Sequence, residues 1–341
     1  MRPSTPDSEP IVTPVFRGGL GNNLFQIAAA ERLAMRSGGR TRYYRQSADA
    51  PREYRPFGGH PLIGARDLPG SLAELFPALD FSAGTSNRAA IRAVADRVAE
   101  EAEDYRFRRS PMPKARGQVV IEGYFFDAPV RGRLRRRLKA CLTPDERVSR
   151  YISSRYGHLF DRPTVSLHFR AGNPHDDYPV PQNSHRWYSR VLARCPANAR
   201  IIVCSDDPPA AREFLQPLQG MRNFVYVAGE PMYVDLFLMA RCTHHVGHNS
   251  TLSAWAAFLS AGRGRAYAHL DHYTQVHGLR AWSITWRDPN WPRHLLRMLR
   301  REWQVRHTRW QEQRALDRAV RGLPPFPVRL RRKLKRLLGR R

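Results

Sequence analysis

The residues of this chain best suited to chemistry fall at the ends of short apolar runs. Thr164 to Leu167 is one such run, and it stops at His168-Phe-Arg170 before Ala171-Gly172-Asn173 begins a turn. Ile201 to Cys204 stops at Ser205-Asp206-Asp207, and His245-Val-Gly247 runs into His248-Asn249-Ser250-Thr251. An arginine at a strand end offers a fixed fork of donors that stays charged, which suits a phosphate. Paired aspartates accept from N–H groups, although one of them, just before Pro208, also reads as a helix cap. Asn249, Ser250 and Thr251 present amide and hydroxyl groups to phosphate or sugar oxygens, with an N-cap as the competing reading for Ser250 or Ser253. Near the start, Gly18-Gly19-Leu-Gly21-Asn22 separates an apolar run from an alanine-rich stretch. Glycines let the backbone approach a ligand, and the free amides of a helix start favour an anion. The spacing fits neither the dinucleotide fingerprint nor a P-loop, so a tight turn without a ligand is the alternative.

These residues need elements to hold them. In the second half, apolar runs alternate with helical stretches: strands at 164–167, 201–204, 224–227, 245–247 and 265–269, and helices at 187–195, 210–215, 232–242 and 254–259. Repeated βα units of this length predict a parallel sheet with right-handed crossovers, and ligands bind at the carboxyl edge of such sheets. Three strands ending in polar clusters point to that edge. The first half predicts strands at 11–16, 42–45 and 118–126, helices at 27–36, 91–103 and 134–142, and a further helix start at Thr143-Pro-Asp-Glu146 with Pro144 in its first turn. Ser47 to Ser86 is rich in turn residues. A boundary falls near 157–162, and a long helix is expected over 293–318.

The formal net charge is +27. Arg329 to Arg341 supplies eight basic residues and no acid, with Leu330, Leu334, Leu337 and Leu338 at helical spacing. That pattern predicts an amphipathic cationic helix on an anionic membrane surface, or else a solvated basic tail. Nucleic acid is not an expected partner, because no recognition helix, zinc site or aromatic RNA-binding strand is found. Cys141, Cys195, Cys204 and Cys242 form no CxxC pair and read as free thiols of a reducing compartment. With no apolar run long enough for a leader or a span, the expected location is cytoplasmic, peripheral on the inner face of the plasma membrane through the tail. Asp176/Asp177 and Asp206/Asp207 invite a metal reading, but no further ligands accompany them, so no metal is expected.

Four segments together resemble one family. They are Gly18-Gly-Leu-Gly-Asn-Asn-Leu-Phe-Gln26, Glu122-Gly-Tyr124, His168-Phe-Arg-Ala-Gly-Asn173 with Ser205-Asp-Asp207, and Asp235-Leu-Phe-Leu-Met239 with Asn249-Ser-Thr-Leu-Ser-Ala-Trp255. In order and spacing, from about residue 12 to 292, they look like the family 11 glycosyltransferases, the α-1,2-fucosyltransferases that use GDP-fucose. The resemblance implies an α/β, GT-B-like fold of two Rossmann-like domains with parallel sheets facing across a cleft. On this reading residues 1–10 are a disordered N-terminus, 11–157 the acceptor-side domain, 158–292 the GDP-sugar-binding domain, 293–321 a helix and 322–341 the basic tail.

It further implies inverting transfer of fucose to a galactoside-type hydroxyl of a surface glycan, without metal or cofactor. Arg170 occupies the first arginine of the family's His-x-Arg-Arg-x-Asp and would neutralise charge on the leaving β-phosphate. His168 would touch guanine or a phosphate, and Asp206 or Asp207 would accept from the guanine N1–H and amino group. Asn249, Ser250 and Thr251 would meet phosphate or fucose oxygens, while Gly19, Gly21 and Asn22 close on the donor from the first domain. Glu122 and Asn173 are the candidates for an acceptor contact or base. Ala171 and Asn173 replace the pattern's second arginine and its aspartate, and Glu122-Gly-Tyr-Phe-Phe126 replaces Gly-Tyr-Trp-Gln. These departures leave two alternatives, a GDP-sugar-binding protein without turnover and a transferase for another GDP-sugar.

Overall fold

The computed structural model describes residues 9–59, 67–86, 88–100, 115–125, 130, 132–171, 185–247, 250–260 and 266–268. The expected helix at 293–318 and the tail lie outside these residues, as do Asn173 and Asn249. The described residues all belong to one compact unit, within 1–285.

The first half opens with β1 (Ile11–Pro14), the long helix α1 (Leu20–Ser37) and the short strands β2 (Arg40–Thr41) and β3 (Arg45–Gln46). Then come α2 (Leu72–Leu75), β4 (Thr85–Ser86), α3 (Arg88–Ala93), β5 (Arg97–Glu100) and β6 (Gln118–Glu122), closed by α4 (Gly132–Cys141) and α5 (Glu146–Tyr156). Strands β2-β1-β6-β5 form an all-parallel sheet in that order, and β3 pairs with β4 apart from it.

Two expectations are corrected here. The helix predicted over 91–103 stops at Ala93, and Arg97–Glu100 is a strand paired with Val119–Glu122. Asp96 makes the switch: its backbone N–H donates to Gln118 O and its Oδ2 accepts from Gln118 N, so pairing overrides local helix propensity. The strand predicted at 42–45 is split into β2 and β3. The helix expected after Thr143 begins at Glu146, capped by the Asp145 carboxylate at Arg147 N, with Pro144 outside the first turn.

The second half follows the predicted alternation. It runs β7 (Thr164–Phe169), α6 (His185–Leu192), β8 (Arg200–Ser205), α7 (Pro208–Leu215), β9 (Asn223–Val227), α8 (Met232–Ala240), β10 (His244–Gly247), α9 (Thr251–Leu259) and β11 (Ala266–Ala268). The sheet order is β11-β10-β7-β8-β9, again all parallel. All six residues of β7 are buried, as a central strand covered on both faces requires. Trp187, Tyr188, Val191 and Leu215 of α6 and α7 pack on Val165, Leu167 and Phe169 from one side. Leu236, Leu238 and Trp255 of α8 and α9 join a core with Ile202 and Cys204 on the other, shared with α1, α4 and α5.

That distribution locates a topological switch point. The chain steps outward from β7 to β8 and β9, then returns to the other flank of β7 for β10 and β11. Right-handed crossovers therefore send the connections after β7 and β10 to opposite faces, leaving a crevice between their carboxyl ends. In the first sheet β1 and β6 are central neighbours, and α1 and α4, which follow them, share one core.

Candidate functional site

At the switch point beside β7, that strand delivers His168 and, one residue past its end, Arg170. His168 is buried and stands in register with Gly247 of β10 and Cys204 of β8. Arg170 and Ala171 are half-buried. The turn after Arg170 is held from the next strand, because Asp206 Oδ1 accepts from Ala171 N at 2.9 Å. A carboxylate that anchors the backbone beside an arginine fixes where that arginine can reach. Asp207 acts elsewhere. Its side chain accepts from Ala210 N at 3.0 Å and caps α7, whose first turn carries Pro208 and Pro209. The two adjacent aspartates therefore divide, one to the Arg170 turn and one to the helix.

Ser250 is buried and occupies the N-cap position of α9, yet its side chain makes no capping bond. Ser253 Oγ donates to Ser250 O instead. Thr251 turns toward the first half, where its Oγ1 donates to Asn22 Oδ1 at 3.1 Å. The start of α1 thus meets the start of α9. Gly21 makes this approach possible: a Cβ there would fall 2.6 Å from Leu252 N and against Thr251 Oγ1. Phe25 packs edge-on against Trp255, centroids 5.2 Å apart, one turn further along both helices. Gly21 serves helix–helix contact, whereas Gly19 is open, with nothing within 4 Å of the place a Cβ would take.

The loop before α1 is braced by residues that the spacing alone does not reveal. Gly18 adopts the left-handed region (φ +77°), and its N–H donates to Glu53 O. Asn23 and Gln26 are fully buried. Gln26 Nε2 donates to Arg17 O at 3.1 Å and to Gly123 O at 3.0 Å, while its Oε1 accepts from Arg17 N and Asn23 Nδ2. The loops that follow β1 and β6 are thereby bridged by the chain's own amides. The available signal was the pair of polar residues three apart on an otherwise apolar helix face.

Glu122 ends β6 and is also buried. Arg88 Nε lies 2.5 Å from its Oε1 and Arg92 Nη1 lies 2.7 Å from its Oε2, so both oxygens hold a guanidinium. A third buried carboxylate, Glu31 of α1, accepts from Thr41 Oγ1, Tyr43 OH and Arg137 Nε and ties α1 to β2 and α4. Asp235 of α8 differs from both. Its carboxyl is enclosed beside the Cys204 thiol, and burial pushes its pKa up to about 8, with Glu230 adding in the same direction. All four cysteines are free thiols. Among the described residues no group of three His, Cys, Asp or Glu is arranged to hold a metal ion, and no helix is long and apolar enough to cross a membrane.

Solved structures with a similar chain course include a NodZ α-1,6-fucosyltransferase co-crystallized with GDP, at 14% identity and a TM-score of 0.46 over 74% of this chain and 93% of that one. Fucosyltransferase NodZ from Bradyrhizobium gives the same identity and score over 74% and 94%. POFUT1 in complex with GDP-fucose gives 12% identity and 0.45 over 76% and 97%. No curated protein matches the sequence. The model of glycosyl transferase family 11 matches residues 186–284, a segment that contains Asp206, Asp207, Ser250 and Thr251 and begins after Arg170. Over residues 186–284 the chain is thus similar to glycosyl transferase family 11.

Proposed function

We propose that the protein is an inverting α-1,2-fucosyltransferase-like enzyme that moves fucose from GDP-fucose to a galactoside-type hydroxyl of a surface glycan. The reading is supported above all by the switch point between β7 and β10, faced by Arg170 and His168 and approached from the first sheet by Asn22 through Thr251. In the reaction, the bond between the sugar's anomeric carbon and the β-phosphate oxygen breaks, and its electron pair stays with GDP. The acceptor oxygen forms the new bond from the opposite face and gives up its proton to a general base. Arg170 carries a permanent positive charge and would stabilise the phosphate as it gains charge. Asp206, by fixing the turn at Ala171, would hold Arg170 in place without reorganisation. With both oxygens engaged by Arg88 and Arg92, Glu122 fits an acceptor-side support better than a base. No cofactor or metal enters this scheme. The basic C-terminal tail would seat the enzyme on the inner, cytoplasmic face of an anionic membrane.

A ligand screen by thermal shift tests the donor. GDP and GDP-fucose should raise Tm, with GDP-mannose weaker and UDP without effect, and fucose transfer to a galactoside should persist in EDTA. Stabilisation by UDP equal to that by GDP, or a strict metal requirement, would contradict the proposal.

A further inference from the structure

The outer strands of a sheet present unpaired N–H and C=O groups, and natural proteins blunt them with short length, charge or proline. Three of the four outer strands in the two larger sheets follow that rule. β2 is two residues long and starts at the exposed Arg40, β5 starts at the exposed Arg97, and β11 has three residues. The fourth does not. β9 is Asn223-Phe-Val-Tyr-Val227, five residues without a charge or a proline. It pairs with β8 on one side and, among the described residues, with no strand on the other. Its neighbours hold it in place and leave this rim clear. Phe224 and Tyr226 are half-buried on one face, stacked at 6.3 Å, while Val225 packs on the core of the other. Arg212 stands 4.2 Å over the Tyr226 ring, and Gln219 Nε2 donates to the Tyr226 hydroxyl at 2.7 Å. Arg222, which precedes β9, turns its guanidinium inward to Leu192 O, Pro196 O and Ala197 O at the end of α6.

The rim is complementary to itself. A second β9 laid antiparallel about Val225 sets Val225 against its own copy, Phe224 against the partner's Tyr226 and Asn223 against the partner's Val227. Both aromatic pairs then fall on one face, and the two-fold axis repeats every contact. We propose that β9 is a self-association edge, through which two copies of this chain pair antiparallel about Val225 and join their second sheets into one. The net charge of +27 opposes the contact at long range. The dimer is therefore weak at low ionic strength and tightens as salt screens the repulsion.

Sedimentation velocity on the full-length protein, over a concentration series at low and high salt, tests the inference. The dimer fraction should grow with concentration and with salt. Phe224→Lys puts a charge on the rim and should abolish the dimer; a folded variant that still dimerises would overturn the inference. Cysteine trapping decides the matter even if that variant does not fold. Val225→Cys is close in size to the native residue and should give a disulfide-linked dimer under mild oxidation. Residues facing each other across an antiparallel pair have Cα atoms about 4.5–5.5 Å apart, within disulfide reach. Asn223→Cys should not cross-link above the background of the native protein, whose Cys195, Cys204 and Cys242 are buried. A protein monomeric at every concentration, a dimer that dissociates as salt rises, or Val225→Cys cross-linking no better than Asn223→Cys would each overturn the proposal. So would a monomer whose β9 amides all exchange slowly, because a segment of the same chain would then cover the rim.

Discussion

The two parallel sheets end in edges made from similar materials and finished differently. At the first, between β1 and β6, the buried amides of Asn23 and Gln26 bridge the loops that follow the strands, and Glu53 and Glu122 are answered by arginine. At the second, between β7 and β10, the carboxylates serve the backbone, Asp206 at Ala171 N and Asp207 at Ala210 N, and Arg170 and His168 stand at the strand end. An edge bridged by its own side chains is a scaffold for contacts at its rim. One bordered by turns that are held from behind is, on the proposed reading, the receptacle. The difference teaches that two parallel edges of one chain can be built for different ends: the first is bridged by a side chain reaching across it, and the second is framed by carboxylates that hold its turns.

Asp235 is the sharpest probe of this contrast, because it is a half-buried residue whose carboxyl is answered by a thiol instead of a guanidinium. Its folded pKa, about 8, lies far above the ordinary aspartate value. A raised folded pKa means that the neutral form is favoured in the fold. Its contribution to stability is complete below the unfolded pKa and is lost as pH rises from about 4 through about 8. Asp235→Asn should therefore leave Tm nearly unchanged at pH 4.5 and raise stability at pH 8.5, on the order of several kcal/mol. Equal Tm differences at both pH values would show that Asp235 is ionised in the fold and ion-paired like Glu31 and Glu122.

Arg170→Ala comes next. Removing a preformed donor from a developing oxyanion costs about 10²- to 10³-fold in turnover. Initial rates of GDP release with a galactoside acceptor should fall by that amount while the melting curve stays in place, since Arg170 follows a strand and is half-buried. Most of the activity retained would move the reacting centre away from the β7–β10 crevice and make the two edges functionally alike.

How much of this was legible in the sequence follows the same division. The second half was readable because its strands are continuous apolar runs ending in polar residues, and Asp207 before two prolines announced its own helix start. Arg170 and His168 stood out for that reason. In the first half, Arg97-Val-Ala-Glu100 reads as helix until Gln118 pairs with Asp96, and nothing local marks that pairing. The Glu122 clamp joins residues some thirty apart, and the Gln26 bond to Gly123 O spans 97 positions. Such contacts leave no periodic trace. Gly21 was legible as a residue that permits close approach; the partner it meets is a helix backbone.

The glycine pair gives the smallest effects and the finest discrimination between scaffold and receptacle. Gly21→Ala would drive a methyl into Leu252 N and Thr251 Oγ1, which are backbone and a bonded hydroxyl and cannot yield without separating α1 from α9. Overpacking of this kind costs about 1–3 kcal/mol, so Tm should fall and the Asn22–Thr251 bond should be lost, weakening nucleotide binding with it. Gly19 lies two residues earlier, at the N-cap of α1, at φ −71° with open space where a Cβ would stand. Gly19→Ala should change stability by less than about 0.5 kcal/mol, and any loss of GDP-induced stabilisation then measures how closely the ligand approaches that backbone. Nucleotide binding weakened by Gly19→Ala with Tm unaltered would make the loop part of the receptacle. Binding weakened only by Gly21→Ala would leave the loop to the scaffold, with its influence on the ligand carried entirely through the packing of α1 on α9.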